Sequence, residues 1–541
     1  MKDINKRRFS AFLLCIGFIG SAHALSFLSP NDPFPMYSSI YPHDFLTNRE
    51  RRYKRGLIDD DTVERMAFSI SPFYQTAQKG KNRHGLSVPL GDIHGPWSVI
   101  GLLYGAVPCD QSRGEILNRA YEHAKFCGNE AFCVSITDPA TSQTRFMHNP
   151  QFADPGQRFG FISAPLKYRK VGLRFEGSGM LSQDLGITVK VGVADISQTL
   201  QGNLCTQPFG CDDFCCTQTR LCANTAATII APGFIDLTPL SKVRPSITTD
   251  GCTTTTSTPC TTSLYDKEDQ TTVERYLMTK LNDIFLEIGL NPCDFHDTSI
   301  EDAQFSLFWR HPYVVNKNNK AGYSEYTFTP FALFEASIGI GKEKDPALLF
   351  SLPFGNNGHH ALGFTGGFDI DFTESISLGL EAGITKFFAK DFCDVHVPTN
   401  DFQQVLYPYT TDIRVEPGNN WHFMATLDAL DFVDRLSFYA AYIFVNHDED
   451  TICIQGLNKG LNTTVTSCSV FSCAFKQEEI EPIFKPQRLA KDTCFNAQMI
   501  NGALNYAISP YSSLGFLWQI PVSQRQAYRS STILFTYQAT F

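Results

Sequence analysis

Downstream of residue 24 the sequence has no run of roughly eighteen apolar residues, the length a helix needs to cross a bilayer, although hydrophobic residues make up 43% of the chain. Helical spans are thereby excluded, and any crossing has to use strands. Positive charge is also short: 45 Lys and Arg stand against 55 Asp and Glu, a formal net charge of -10. Such a balance offers nucleic acid or an anionic surface little to hold, so no nucleic-acid partner is expected. A Gly-x-Ser-x-Gly elbow or comparable nucleophile motif is missing as well. Hydrolysis needs a nucleophile or activated water beside a base and an orienting group, so the chain does not read as an enzyme, and no cofactor is expected.

What is present begins at the N-terminus. Residues Met1 to Arg8 carry four basic groups and one acid, and an apolar run follows from Phe9 to about Ile19. With Ala22 and Ala24 flanking His23, this is the pattern of a secretory signal peptide, residues 1–24, cleaved after Ala24. Removing those four bases and one acid takes the formal charge from -10 to -13. Cys15 leaves with the signal, so sixteen of the 17 cysteines remain. In an oxidising compartment they are expected to pair.

Residues 25–64 read as an N-terminal segment, and from 65 to 541 the main signal is period-two alternation. Leu185, Ile187, Val189, Val191 and Val193 take one face while Gly186, Thr188, Lys190 and Gly192 take the other. Such a ribbon has one apolar and one polar side. The pattern repeats near 65–77, 157–165, 168–178, 301–313, 323–340, 346–354, 361–372, 375–385, 419–431, 434–446, 494–508, 511–521 and 529–541. That predicts an all-β fold, an antiparallel transmembrane β-barrel of about fourteen strands (12–16), with short polar turns on one rim and long loops on the other. The polar face is built of Gly, Ser, Thr and isolated charges, as a crowded lumen favours. Phe387, Phe388, Trp421, Tyr442, Trp518 and Tyr528 sit near strand ends, where an interfacial aromatic girdle belongs.

The final strand sets Ile533, Phe535, Tyr537, Ala539 and Phe541 on one face and stops on Phe541. This resembles the C-terminal signature of Gram-negative outer-membrane proteins, porins above all, which the barrel-assembly machinery reads. The resemblance implies export to the bacterial outer membrane, contact with its lipid, and Phe541 as assembly signal. The cysteine content is similar to that of the major outer-membrane proteins of chlamydial type.

Two stretches are too long for turns, 78–156 and 195–300, and further long loops fall at 389–418 and 447–493. The second insertion holds Cys205, Cys211, Cys215, Cys216, Cys222, Cys252, Cys260 and Cys293 and closes on an amphipathic helix over about Thr271–Ile288. These cysteines are disulfide candidates, within the insertion or to envelope neighbours; their spacing lacks the paired knuckles of a structural zinc site. A strand at 346–354 places the 195–300 insertion on the periplasmic rim, and its absence places it outside.

Gly91-Asp92-Ile93-His94-Gly95 resembles the first metal-binding box of calcineurin-like metallophosphatases, but the further boxes such a two-metal centre needs are lacking. It reads as a Gly/Pro loop before Trp97, and no metal is expected. His359-His360 reads as a surface loop. By parity Lys170, Arg174, Glu176, Lys190, Arg310, Glu335, Asp369, Asp371, Glu381 and Asp428 line the pore. Mixed charges of this kind suit passive diffusion of small hydrophilic solutes and ions. The alternatives are a closed barrel acting as a disulfide-linked structural protein or adhesin, and, behind both, a barrel hydrolase using inward groups such as His422 and Asp428. A homo-oligomer is compatible with any of these.

Overall fold

The computed structural model describes residues 66–95, 97–98, 102, 133–137, 144–148, 161–182, 184–201, 281–315, 326–372, 376–399, 403–455, 484–509 and 511–541. Twelve strands form one closed antiparallel sheet. They are β1 (Met66–Ala77), β2 (Leu166–Met180), β3 (Leu185–Leu200), β4 (Phe295–Ile300 continued as Ala303–Arg310), β5 (Tyr326–Ile338), β6 (Ala361–Asp371), β7 (Ile376–Phe387), β8 (Asn420–Val433), β9 (Leu436–His447), β10 (Phe495–Ser509), β11 (Ser512–Arg525) and β12 (Ser531–Thr540). Each pairs with its neighbours in sequence, and β12 pairs with β1 to close the ring. At that seam the Met66 amide donates to the Phe541 carbonyl at 3.3 Å and the Phe541 amide returns a bond at 3.0 Å. Closure leaves no unpaired edge, which is the condition for a sheet to enter hydrocarbon.

The count is twelve, not about fourteen, because two alternating segments do not join the sheet. Within 157–165, Phe161–Ile162 pairs with Trp97–Ser98, and Ser163 and Ala164 bond to Asp92. Residues 346–354 run irregularly, with Phe350, Leu352 and Phe354 buried in the core at the barrel mouth. Both segments carry a proline, Pro165 and Pro353, that has no ladder donor to give. Alternate anchoring to a plug produces the same period as alternate exposure to lipid.

Outside, the belt is apolar: Val189, Val191 and Val193 on β3, Phe305, Leu307 and Trp309 on β4, and Leu378 and Leu380 on β7 face outward. A sheet that is apolar outside and polar inside is the inverse of a water-soluble barrel and is stable only with its belt in lipid. Trp421, Trp518, Phe388 and Tyr442 point outward, whereas Phe387 and Tyr528 are buried inside and belong to no girdle. Replacing Leu380 with Arg is expected to cost about 2–4 kcal/mol, measured by equilibrium unfolding from lipid vesicles.

The turns at 181–184, 372–375, 434–435 and 510–511 lie on one rim together with the longer 311–325 connection and both ends of the barrel. The connections 78–165, 201–294, 339–360, 388–419, 448–494 and 526–530 lie on the other. Because 346–354 is not a strand, the cysteine-rich insertion leaves from the long-loop rim, the outer side in barrels of this construction. Of its cysteines only Cys293 is among the described residues, and it is buried; Cys205, Cys211, Cys215, Cys216, Cys222, Cys252 and Cys260 lie outside them, as do the signal peptide and residues 25–64. Of the expected helix, Leu281–Glu287 is described, with Leu281, Ile284 and Phe285 buried against the mouth core.

Candidate functional site

Register fixes what faces the lumen. Thr188 opposes Ser306, which opposes Glu335, then Gly363, Thr385, Asn420 and His447, one residue per strand from β3 to β9. Two-residue steps from this row place Lys170, Arg174, Glu176, Lys190, Arg310, Glu335, Asp369, Asp371, Glu381 and Asp428 on the interior face.

Glycines shape this wall. Phe73 lies across Gly172, Phe308 across Gly186, Phe331 across Gly367, Glu301 across Gly192, Asp369 across Gly379 and His422 across Gly383, each occupying the place a Cβ would fill. These six inward side chains therefore lie along the wall instead of projecting to the axis. In a barrel of twelve strands, between the filled eight-stranded and open sixteen-stranded cases, this decides how much of the interior side chains occupy.

Toward the long-loop rim stands an ion-pair cluster. Between the pairs Ile300–Val193 and Gln304–Lys190, three residues of β4 oppose two of β3. This is a β-bulge, and it turns the consecutive acids Glu301 and Asp302 both into the protein. Glu301 receives Lys170 Nζ at 2.8 Å and Arg174 Nε at 2.7 Å, with a second Arg174 nitrogen at 2.9 Å. The Phe73 ring lies under both cations, 4.6 Å from Arg174 and 5.8 Å from Lys170. Asp302 accepts the amides of Gly341 at 3.0 Å and Asn356 at 2.6 Å and so ties down the 339–360 loop. Glu301 was not among the parity candidates; the signal for it is two adjacent acids interrupting an alternating strand.

Above the cluster the polar wall gives way to a network. Tyr168 donates to Gln75 at 2.9 Å, Gln75 donates to Thr532 at 3.1 Å, and Tyr528 donates to Gln198 at 3.4 Å. Loops fill the mouth beyond it. Trp97 packs on Phe350 with centroids 5.9 Å apart, and Leu90, Ile93, Leu281, Phe285 and Leu406 complete an apolar core continuous with the upper wall. A separate cap, with the sheet Lys390–His396, Thr410–Glu416 and Thr451–Ile454, has its own core around Tyr407, Ile413, Val415 and Phe484.

Asp92 of the Gly-Asp-Ile-His-Gly segment serves the mouth. It accepts from Ser163 and from the Ala164 amide at 2.9 Å, while His94 offers its carbonyl to Gln404 at 3.0 Å. Among the described residues no three His, Cys, Asp or Glu side chains are grouped to hold a metal. Burial pushes the Asp92 carboxyl up to about 6, against the opposing pull of those two hydrogen bonds. A carboxyl that binds its proton more tightly folded than unfolded gains stability as pH falls from above 6 toward the unfolded value near 4. The protection factor of the Ala164 amide is accordingly expected to rise between pH 7 and pH 5, and Asp92→Asn to abolish that rise.

His359 is buried, not a surface residue, and shares a 2.8 Å hydrogen bond with the Phe388 carbonyl; His360 accepts the Gly339 amide at 3.1 Å. His422 lies 3.4 Å from Thr365 Oγ1 and 3.6 Å from Glu381, and Asp428 is three two-residue steps down the same strand face, past Met424 and Thr426. Phe541 is exposed on the outer face at the short-turn rim.

No protein family and no curated protein matches the chain. Similar solved structures include an outer-membrane channel from Pseudomonas putida F1, 8% identical with TM-score 0.39 over 90% of this chain and 100% of that one. A toluene transporter from Ralstonia pickettii is 9% identical with TM-score 0.26 over 90% and 91%. A FadL homologue from Pseudomonas aeruginosa is 11% identical with TM-score 0.24 over 97% and 99%. Likeness at this level says nothing about a solute. The closed ring, the apolar belt and the polar interior are this chain's own features, and they are the construction of a Gram-negative outer-membrane β-barrel.

Proposed function

We propose that the chain is an outer-membrane channel through which small hydrophilic solutes diffuse, entering from outside past the folded loops at the mouth. The observation that carries this reading is the glycine-floored wall, where Glu301, Asp369, His422, Phe73, Phe308 and Phe331 lie flat. Drawn into these recesses, the six side chains take up less of the barrel's cross-section than they would standing upright. The charged and hydroxyl groups on that wall replace hydration for polar solutes and slow apolar ones.

The deciding experiment is single-channel conductance of the refolded chain in a planar bilayer, with heat-modifiable gel mobility as the folding control. Stable steps whose size scales with salt are expected. A folded barrel that gives none overturns the channel. The second reading, a structural or adhesive barrel, would then stand, and the apolar mouth core around Trp97, Phe350 and Phe285 is the observation that favours it.

A further inference from the structure

We infer that the lumen selects for small cations, with the interior carboxylates of β5 to β8 as the selecting groups. The inference rests on the channel reading above and adds the solute's charge to it.

Five consecutive strands around the ring, β9 to β12 and β1, carry no Asp, Glu or Lys, and their one Arg, Arg525, ends β11 at the long-loop rim. Apart from His447 at the long-loop rim, their inward side chains are hydroxyls, amides and apolar groups, among them Ser71, Ser437, Asn501, Gln519 and Thr536. All charge on the wall therefore comes from β2 to β8, and nothing on the opposite side offsets it. Within that arc the upper cations, Lys170 and Arg174, are both held by Glu301. Below them stand six inward carboxylates, Glu176, Glu335, Asp369, Asp371, Glu381 and Asp428, and two inward cations, Lys190 and Arg310.

Five of those carboxylates sit on four adjacent strands. Glu335 is the most telling: it is 2% exposed, its Oε2 has no hydrogen-bond partner, and its electrostatic neighbours are Lys190 and the like-charged Glu381. Asp369 reaches over Gly379 toward Thr426 and so lies along the wall. A channel with low-dielectric walls and one prevailing sign of charge concentrates the opposite ion, by on the order of ten-fold at the low end.

The test is the reversal potential of the refolded full chain in an uncharged phosphatidylcholine bilayer under a potassium chloride gradient. It is expected to move toward the potassium equilibrium potential, with a potassium-to-chloride permeability ratio on the order of ten. The double variant D369N/E381Q is expected to lower the ratio and K190Q to raise it. Reversal at zero or on the chloride side overturns the cation preference while leaving a channel, as does a ratio that neither substitution moves. A folded barrel with no conductance removes the channel, and the selectivity with it. Should D369N/E381Q fail to fold, the wild-type ratio and K190Q still decide.

Discussion

Glu301→Gln is expected to destabilise the barrel by about 3–5 kcal/mol, the cost of removing one partner from a buried ion pair. Glu301 is 10% exposed at its side chain and Lys170 5%, so water reaches little of the pair; Arg174, at 24%, retains some solvent screening. Glutamine keeps the shape and one acceptor but leaves two cations facing each other over the Phe73 ring. The attraction of either cation to that ring, about 2 kcal/mol when desolvated, is too small to replace the carboxylate. The measurement is the urea midpoint of the heat-modifiable band in detergent. A companion variant, K170M/R174M/E301L, removes all three charges at similar volume and is expected to lie near wild type, because apolar replacement of a complete buried cluster is often neutral or stabilising. If E301Q alone unfolds within about 0.5 kcal/mol of wild type, as an ordinary surface change would, the cluster is not structural.

The fold was legible in the sequence where the two sides of the sheet meet unlike solvents. On β3 the valines of one face meet lipid and Gly186, Thr188, Lys190 and Gly192 the interior, and a period of two follows from the pleat alone. The same period misleads where one face meets a plug instead. Phe350, Leu352 and Phe354 alternate because they anchor a loop in the mouth, and no local feature but Pro353 marks the difference. Phe387 and Tyr528 lie inside for a related reason: strand ends near the loops pack on one another, Phe387 against Ala361 and His447 and Tyr528 against Tyr168, so an aromatic there is as easily core as girdle. The bulge at Glu301-Asp302 was beyond a strictly alternating scheme, since one extra residue flips parity for everything on one side of it. Parity tells which face a side chain takes. It does not tell whether that side chain stands or lies down, and that depends on a glycine in the neighbouring strand, as Gly379 does for Asp369.

Asp450→Ala is expected to unclip the cap without opening the barrel. Asp450 and His447 are both 0% exposed at their side chains and lie 2.8 Å apart. The same carboxylate oxygen accepts the Gly418 amide at 2.8 Å, and the Asp450 amide donates to Thr493 at 2.7 Å. His447, the last residue of β9, is in turn 2.5 Å from Asn420 at the start of β8 and stacks 5.1 Å from Phe495 at the start of β10. One carboxylate thus joins the two connections that carry the cap, 388–419 and 448–494, to three strand ends. Alanine removes its bonds to His447 and Gly418, worth about 1.5–3 kcal/mol each when one group is charged, and none of the strand ladder. Protease cleavage in 388–419 and 448–494 should therefore accelerate while the heat-modifiable band survives. If the cap is the constriction, the conductance of D450A rises above that of wild type. An unchanged conductance on a barrel whose cap is now cleaved would move the constriction down to the mouth core at Trp97 and Phe350, which is held by Asp92 and Asp302 and which this substitution does not touch.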